Sequence, residues 1–327
     1  MNIDFSKAGL YCLLNTPEVQ RKLSDLQAAN RAVFEKGDSE TISRMVAKVV
    51  SDEVERFVSD KLDSMDEDAR KNPVWIHDAI KELSERGGLP EESIPLDDKV
   101  LKEIKISPDA KNTRRPTTEL NECSLIVPDG RTPTLGNEIG LELESANRAD
   151  WLVSFIKLGA VRAFYPQLQA FCGKANPDGS PRLRIATTTY MGATDAKALE
   201  LLFKLPNTQV KVCFNTSQTR LHAKAYIFRR ESGFGTAYIG SANLSAPAMS
   251  SGMEWTVKVS QTEIPYLFGQ SVQSFEGCWN NDSFELCNNQ DLPRITDALA
   301  RSRVVMQPVE SVSEEDVLRS VVLTPHP

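Results

Sequence analysis

From residue 135 onward the apolar positions fall into two alternating patterns. Leu135 to Ala146, Leu158 to Phe171 and Asp195 to Leu205 repeat them at helical spacing, whereas Trp151 to Ile156, Arg182 to Thr188 and Gln209 to Phe214 are short runs that suit buried strands. Three more strand-like runs follow, Leu221 to Phe228, Thr236 to Ile239 and Glu254 to Val259, and then a helical stretch near Pro265 to Trp279. Such alternation predicts an α/β sandwich, a mixed sheet between helices, over residues 116–290.

The first part of the chain reads differently. Ile42, Met45, Val46, Val49, Val50, Phe57 and Val58 recur near helical spacing, with Ser39 as a cap and Asp52, Glu53, Glu55 and Arg56 outside the stripe. With Pro17 to Phe34 and Pro73 to Leu83 as two further helices, residues 1–115 are expected to form a helical N-terminal domain. It ends in a hinge, Gly87 to Arg115, that carries Pro90, Pro95 and Pro108. Residues 291–327, acidic around Glu310 and Glu314 to Asp316, are expected to be a C-terminal segment or a linker to a further domain.

Reactive side chains concentrate between Leu221 and Trp255. His222 and Lys224 are two apart, so on an extended strand they leave the same face. Ala237 to Ile239 leads into Gly240-Ser241-Ala242-Asn243, and Glu231 to Gly235 has the composition of a hairpin turn, which would bring the basic pair and this corner together. Glu254 stands eleven residues after Asn243. A neutral imidazole can attack phosphorus, an ammonium and an amide can hold the phosphoryl oxygens, and a carboxylate can orient a ring nitrogen. Together they equip a site for phosphoryl transfer without a metal. Each alone is ordinary: a strand histidine is usually structural, and Gly-Ser-Ala-Asn is a common turn.

The set His222-x-Lys224, Gly240-Ser241-x-Asn243 and Glu254 resembles the phospholipase D superfamily. From Arg184 to Trp255 the chain is similar to its nuclease-like branch, whose members are often joined to superfamily 2 helicases. The resemblance spans Glu138 to Asn280 and implies a phospholipase D-like sandwich. It implies His222 as the nucleophile that becomes a phosphohistidine, Lys224 and Asn243 as phosphate ligands, Ser241 as an assistant, and Glu254 as the group orienting the histidine. No metal and no cofactor are implied. One position departs: the aspartate that the family carries five residues after the lysine is Arg229 here, and the gap to Gly240 is longer. The chain has only three histidines, His77, His222 and His326, and no second His-x-Lys pair. By resemblance it is therefore a homodimer in which two copies of His222 share one phosphate, one neutral and one protonated.

Charge directs the substrate reading. The chain carries −7, yet Trp151 to Ser260 holds thirteen Lys and Arg against five Asp and Glu, a local +8 that leaves −15 elsewhere. A basic segment in an acidic chain points to a polyanion at the site. Thr188, Thr189 and Tyr190, at the end of a predicted strand, and Arg220, Arg229 and Arg230 are the candidate substrate-binding residues, with Arg182, Arg184 and Lys211 as further cations. The leading expectation is a DNA endonuclease acting in bacterial restriction or defence, with a helicase partner in the same chain or complex. A phospholipase or phosphatidyl transferase, and a catalytically silent nucleic-acid-binding module, are the alternatives. No apolar run approaches the roughly 18 residues of a membrane span and no signal pattern opens the chain, so a cytoplasmic protein without a membrane partner is expected. The six cysteines are scattered, which argues against zinc and fits reduced thiols.

Overall fold

A computed structural model describes residues 3–71, 74–85, 93–130, 132–215 and 221–305. The chain divides into two compact units: residues 1–149, 227–239 and 256–273 in the first, and 150–226, 240–255 and 274–327 in the second.

In the first unit, strands β1 (Gly9–Leu14), β2 (Ala32–Lys36) and β3 (Lys99–Ile104) form an antiparallel sheet in the order β1-β3-β2. Helices α1 (Pro17–Asp25), α2 (Ser39–Asp63), α3 (Glu67–Lys71) and α4 (Val74–Glu85) accompany it. The N-terminal stretch is thus not all helical. Leu10, Tyr11 and Leu14 of β1 and Val100, Leu101 and Ile104 of β3 are buried with Leu23, Met45 and Phe234 in one core, and runs of five or six residues are too short to hold as isolated helices. The helix expected over Pro17 to Phe34 stops at Asp25, where Gln27 adopts a left-handed φ of 51° and the chain turns into β2. Helix α2 starts where its apolar stripe predicts, but its cap is Asp38, whose carboxylate accepts the Thr41 amide at 2.8 Å.

Strand β4 (Ser124–Ile126) and helix α5 (Leu135–Ser145) follow. Two glutamates of α5 are fully buried. Glu138 accepts the Thr117 amide at 2.9 Å and the Thr118 hydroxyl at 2.6 Å. Glu142 accepts the hydroxyls of Thr236 at 2.7 Å and Tyr238 at 2.8 Å, and pairs with Arg230 at 2.5 Å. Arg230 also donates to Ser145 at 2.6 Å and to the Phe234 carbonyl at 3.0 Å. Its side chain is 1% exposed, so it is a buried ion-pair partner and not the surface DNA contact expected from sequence.

The second unit alternates strand and helix: β5 (Arg148–Val153), α6 (Leu158–Cys172), β6 (Leu183–Thr188), α7 (Ala196–Phe203) and β7 (Thr208–Cys213). Each was legible within a few residues. Strand β8 (Lys224–Arg229), strand β9 (Thr236–Gly240), the short α8 (Ala246–Met249), strand β10 (Thr256–Ser260), helix α9 (Pro265–Trp279), strand β11 (Phe284–Cys287) and helix α10 (Leu292–Val305) complete the chain. In the mixed sheet β11, β7, β6 and β5 are consecutive, as are β8, β9, β10 and β4. Strands β6 and β7 are parallel, with Leu183 opposite Thr208, and β11 and β4 are antiparallel to β7 and β10. The expected α/β architecture of a mixed sheet with helices is what the chain adopts. Trp151, Val153, Val161, Ile185, Leu202 and Val212 are buried in the second unit; each such side chain contributes about 1.5–3 kcal/mol.

Several cations of the basic segment serve this core. Arg184 pairs with Asp150 and Glu276, both at 2.6 Å, and its guanidinium lies 4.8 Å from the Phe275 ring centre. Arg182 lies 4.5 Å over Phe171, and Lys211 donates to the Trp279 carbonyl at 2.6 Å. These side chains hold the fold, so the local excess of positive charge overstates what a substrate can meet. Strand β11 and helix α10 were not expected, although Asn288 and Asp291 form a capping box before the helix. Arg303 of α10 donates to the Gly192 carbonyl at 2.7 Å, and Gly192, at φ 61°, lies so close to the helix that a β-carbon would meet Leu299 O and Arg303 Cγ at 2.3 Å. Arg220, the acidic run from Glu310 to Asp316, His326, Gly87 and Pro90 lie outside the described residues. Among the described residues no helix is long and apolar enough to cross a membrane.

Candidate active site

Four residues leaving β5, Ser154 to Lys157, hold the site together. The Ser154 amide donates to the Ala223 carbonyl at 3.2 Å and its hydroxyl to the same oxygen at 3.1 Å, which fixes the residue between His222 and Lys224. The Phe155 amide donates to Asn243 Oδ1 at 3.1 Å, while its carbonyl accepts the Leu244 amide at 3.1 Å. Ile156 is held by Thr194 Oγ1 at 3.3 Å, and the Lys157 amide donates to the Leu244 carbonyl at 2.8 Å. One short loop therefore carries both the His222–Lys224 arm and the Asn243 corner. It lies beyond the carboxyl end of a sheet strand, where ligand sites of open α/β sheets form.

On the first arm, β8 begins at Lys224, so His222 precedes the strand and is exposed, whereas Lys224 is buried. Lys224 Nζ donates to the His222 carbonyl at 2.7 Å and reaches the two ring nitrogens at 3.0 and 3.1 Å. The ring also meets Phe155 edge-on, with centres 6.3 Å apart. Burial holds the Lys224 ammonium below the ordinary lysine range, and the Glu254 carboxylate opposes that shift.

On the second arm, the Asn243 amide oxygen is engaged by Phe155, which leaves its Nδ2 hydrogens without a protein acceptor among the described residues and free to meet an anion. Ser241 and Trp255 are locked by their backbones: the Ser241 amide donates to the Trp255 carbonyl at 3.1 Å and the Trp255 amide to Ser241 Oγ at 3.2 Å. The Ser241 hydroxyl donates to the Glu254 carboxylate. Among the described residues no hydrogen bond joins Glu254 to His222, so the carboxylate that sequence assigns to the histidine is here held by the serine. Tyr226, fully buried, donates to the Ala242 carbonyl at 3.0 Å, and burial with the nearby Glu254 charge keeps its hydroxyl protonated.

The structure thus brings His222 and Lys224 together, Ser241 and Glu254 together, and ties Asn243 to Phe155. Thr188 and Thr189 are buried, and both hydroxyls donate to the Cys213 carbonyl at 3.3 Å while Thr188 Oγ1 accepts the Tyr190 amide at 3.0 Å. The two threonines thus serve a turn closing β6 and β7. Arg229, half-buried at the end of β8, offers its carbonyl to the Asn147 amide at 2.9 Å. Phe155 and Ser154 were missed from sequence; their position after a buried apolar run, at a strand's carboxyl end, was the available signal.

The chain resembles the nuclease-like branch of the phospholipase D superfamily. Residues 188–282, which include His222, Lys224, Ser241, Asn243 and Glu254, match the family described as the NgoFVII restriction endonuclease N-terminal PLD domain. Similar solved structures include NucT from Helicobacter pylori, with 17% identity, a TM-score of 0.38 and coverage of 51% of this chain and 99% of that one. They also include Nuc from Salmonella typhimurium, a phospholipase D family member, at 16% identity and TM-score 0.36, covering 51% of this chain and 100% of that one. Phosphatidylserine synthase from Haemophilus influenzae Rd KW20 shares 10% identity at TM-score 0.36, over 66% of this chain and 50% of that one. No curated protein matches the chain in sequence.

Proposed function

We propose that this chain is a metal-independent DNA endonuclease that works through a phosphohistidine, with two copies sharing one site. The observation that carries the reading is the Lys224 ammonium at 3.0 Å from a His222 ring nitrogen, with Asn243 held ready by Phe155. An entering phosphodiester would draw Lys224 and the Asn243 amide onto its non-bridging oxygens, releasing the ring lone pair. That nitrogen then bonds to phosphorus as the ester P–O bond breaks, and the protonated His222 of a second copy gives its proton to the leaving oxygen. Water then attacks the phosphohistidine, its proton passing to the second imidazole, and the N–P bond breaks. The restriction-endonuclease description of the matching family supports DNA as the substrate and a place in restriction or defence. A helicase in the same chain or assembly would present that DNA.

The test is cleavage of labelled duplex and single-stranded DNA by the purified chain in excess EDTA, across protein concentrations that span dimer dissociation. Cutting in EDTA that fades as the dimer separates is the expected result. Cutting that stops with EDTA defeats the metal-free chemistry, and full activity in a monomer defeats the shared site. Within this reading, Asn243→Ala removes a phosphoryl-oxygen donor and is expected to lower kcat by roughly 10²–10³. Single-turnover cleavage measures that loss; a change confined to KM would make Asn243 a ground-state binding residue only.

A further inference from the structure

Trp255 is a large aromatic residue left mostly in water next to the candidate site. Its residue is 63% exposed, and Met253, two positions earlier, is 85% exposed. Removing such a side chain from water is favourable, and an exposed indole presents a face on which a base can stack. Its backbone is rigid with respect to the chemistry. The Ser241 amide donates to its carbonyl at 3.1 Å and its own amide donates to Ser241 Oγ at 3.2 Å, while that hydroxyl engages Glu254, the preceding residue. The Cα of Trp255 is therefore held beside the Ser241–Glu254 pair, and the indole turns about its own side-chain torsions from that fixed point.

We propose that Trp255, with Met253 beside it, is a stacking platform for an unpaired nucleobase next to the scissile phosphate. The inference rests on the phosphodiesterase reading above and adds the substrate's form: a single strand, or a nucleotide unstacked from a duplex. Every base presents a π-face, so the platform reads no sequence and favours strands whose bases are free. The phosphate would be held by the cationic arm at Lys224, whose ammonium feels the charge of Glu254, the residue before Trp255.

The experiment uses the full chain carrying His222→Ala, which should not cut, and measures binding of a single-stranded oligothymidylate, the same backbone made abasic, and a blunt duplex. The base-bearing single strand is expected to bind roughly 5–100-fold more tightly than the abasic one, quenching Trp255 fluorescence. Trp255→Ala should erase that ratio and Trp255→Phe should restore most of it. An unchanged ratio in Trp255→Ala overturns the platform. So does a finding that Trp255→Ala turns a dimer into a monomer with the ratio intact, because the indole would then belong to a subunit contact. Cleavage by the chain with His222 intact is scored separately: a chain that cuts DNA but shows no base-dependent ratio loses only the platform, whereas a chain that neither cuts nor binds loses both.

Discussion

Replacing His222 with alanine is expected to abolish DNA cleavage, lowering kcat by several powers of ten, on the order of 10⁶ for a covalent nucleophile. No neighbour can take over. Lys224 is a buried ammonium anchored on the His222 backbone carbonyl at 2.7 Å, and the Ser241 hydroxyl is committed to Glu254. The loss should be catalytic and not structural, because His222 is exposed and the bond from Lys224 to its carbonyl does not need the ring. Unchanged circular dichroism and denaturation midpoint, with no phosphoenzyme trapped by acid quench, would complete the expected picture. A variant cutting within tenfold of the parent would show that another group attacks phosphorus.

The second large effect is on stability. Arg230→Ala is expected to cost about 3–5 kcal/mol, the loss typical of a buried ion pair that loses one member. Glu142 would keep only the Thr236 and Tyr238 hydroxyls, at 2.7 and 2.8 Å, against a full buried charge, and Ser145 and the Phe234 carbonyl would lose their donor. Urea denaturation gives the number. The double change Arg230→Met with Glu142→Leu should recover most of it, since neither charge is then left alone. If Arg230→Ala instead leaves the midpoint unchanged and weakens DNA binding, the arginine faces the substrate and the buried pair is not what holds this region.

That contrast shows what the sequence could and could not carry. The strands and helices from Leu135 to Trp279 were readable because helical periods alternate there with short runs, such as β5 and β6, that are buried along almost their whole length. The N-terminal strands were not: in β1 a continuous apolar run, Leu10 to Leu14, lacks alternation, and β2 ends in the charged Glu35 and Lys36. Side-chain type at characteristic spacing pointed to His222, Lys224, Ser241, Asn243 and Glu254. Pairing was a different matter, since spacing says nothing of whether Glu254 meets the histidine or the serine. Charge counting failed most plainly for Arg182, Arg184 and Arg230, because a guanidinium over an aromatic ring or on a buried carboxylate has the same formal charge as one in water.

The Ser154 to Lys157 loop has a mechanical consequence. Because it grips the backbone beside His222 and also the Asn243 corner, a displacement of the loop carries both arms in the same direction. Their separation then depends on the loop's own amide contacts and not on where the loop as a whole sits. A duplication or insertion that moved the loop bodily would leave the chemistry in register, whereas cutting any one of its amide contacts would let the two arms drift independently.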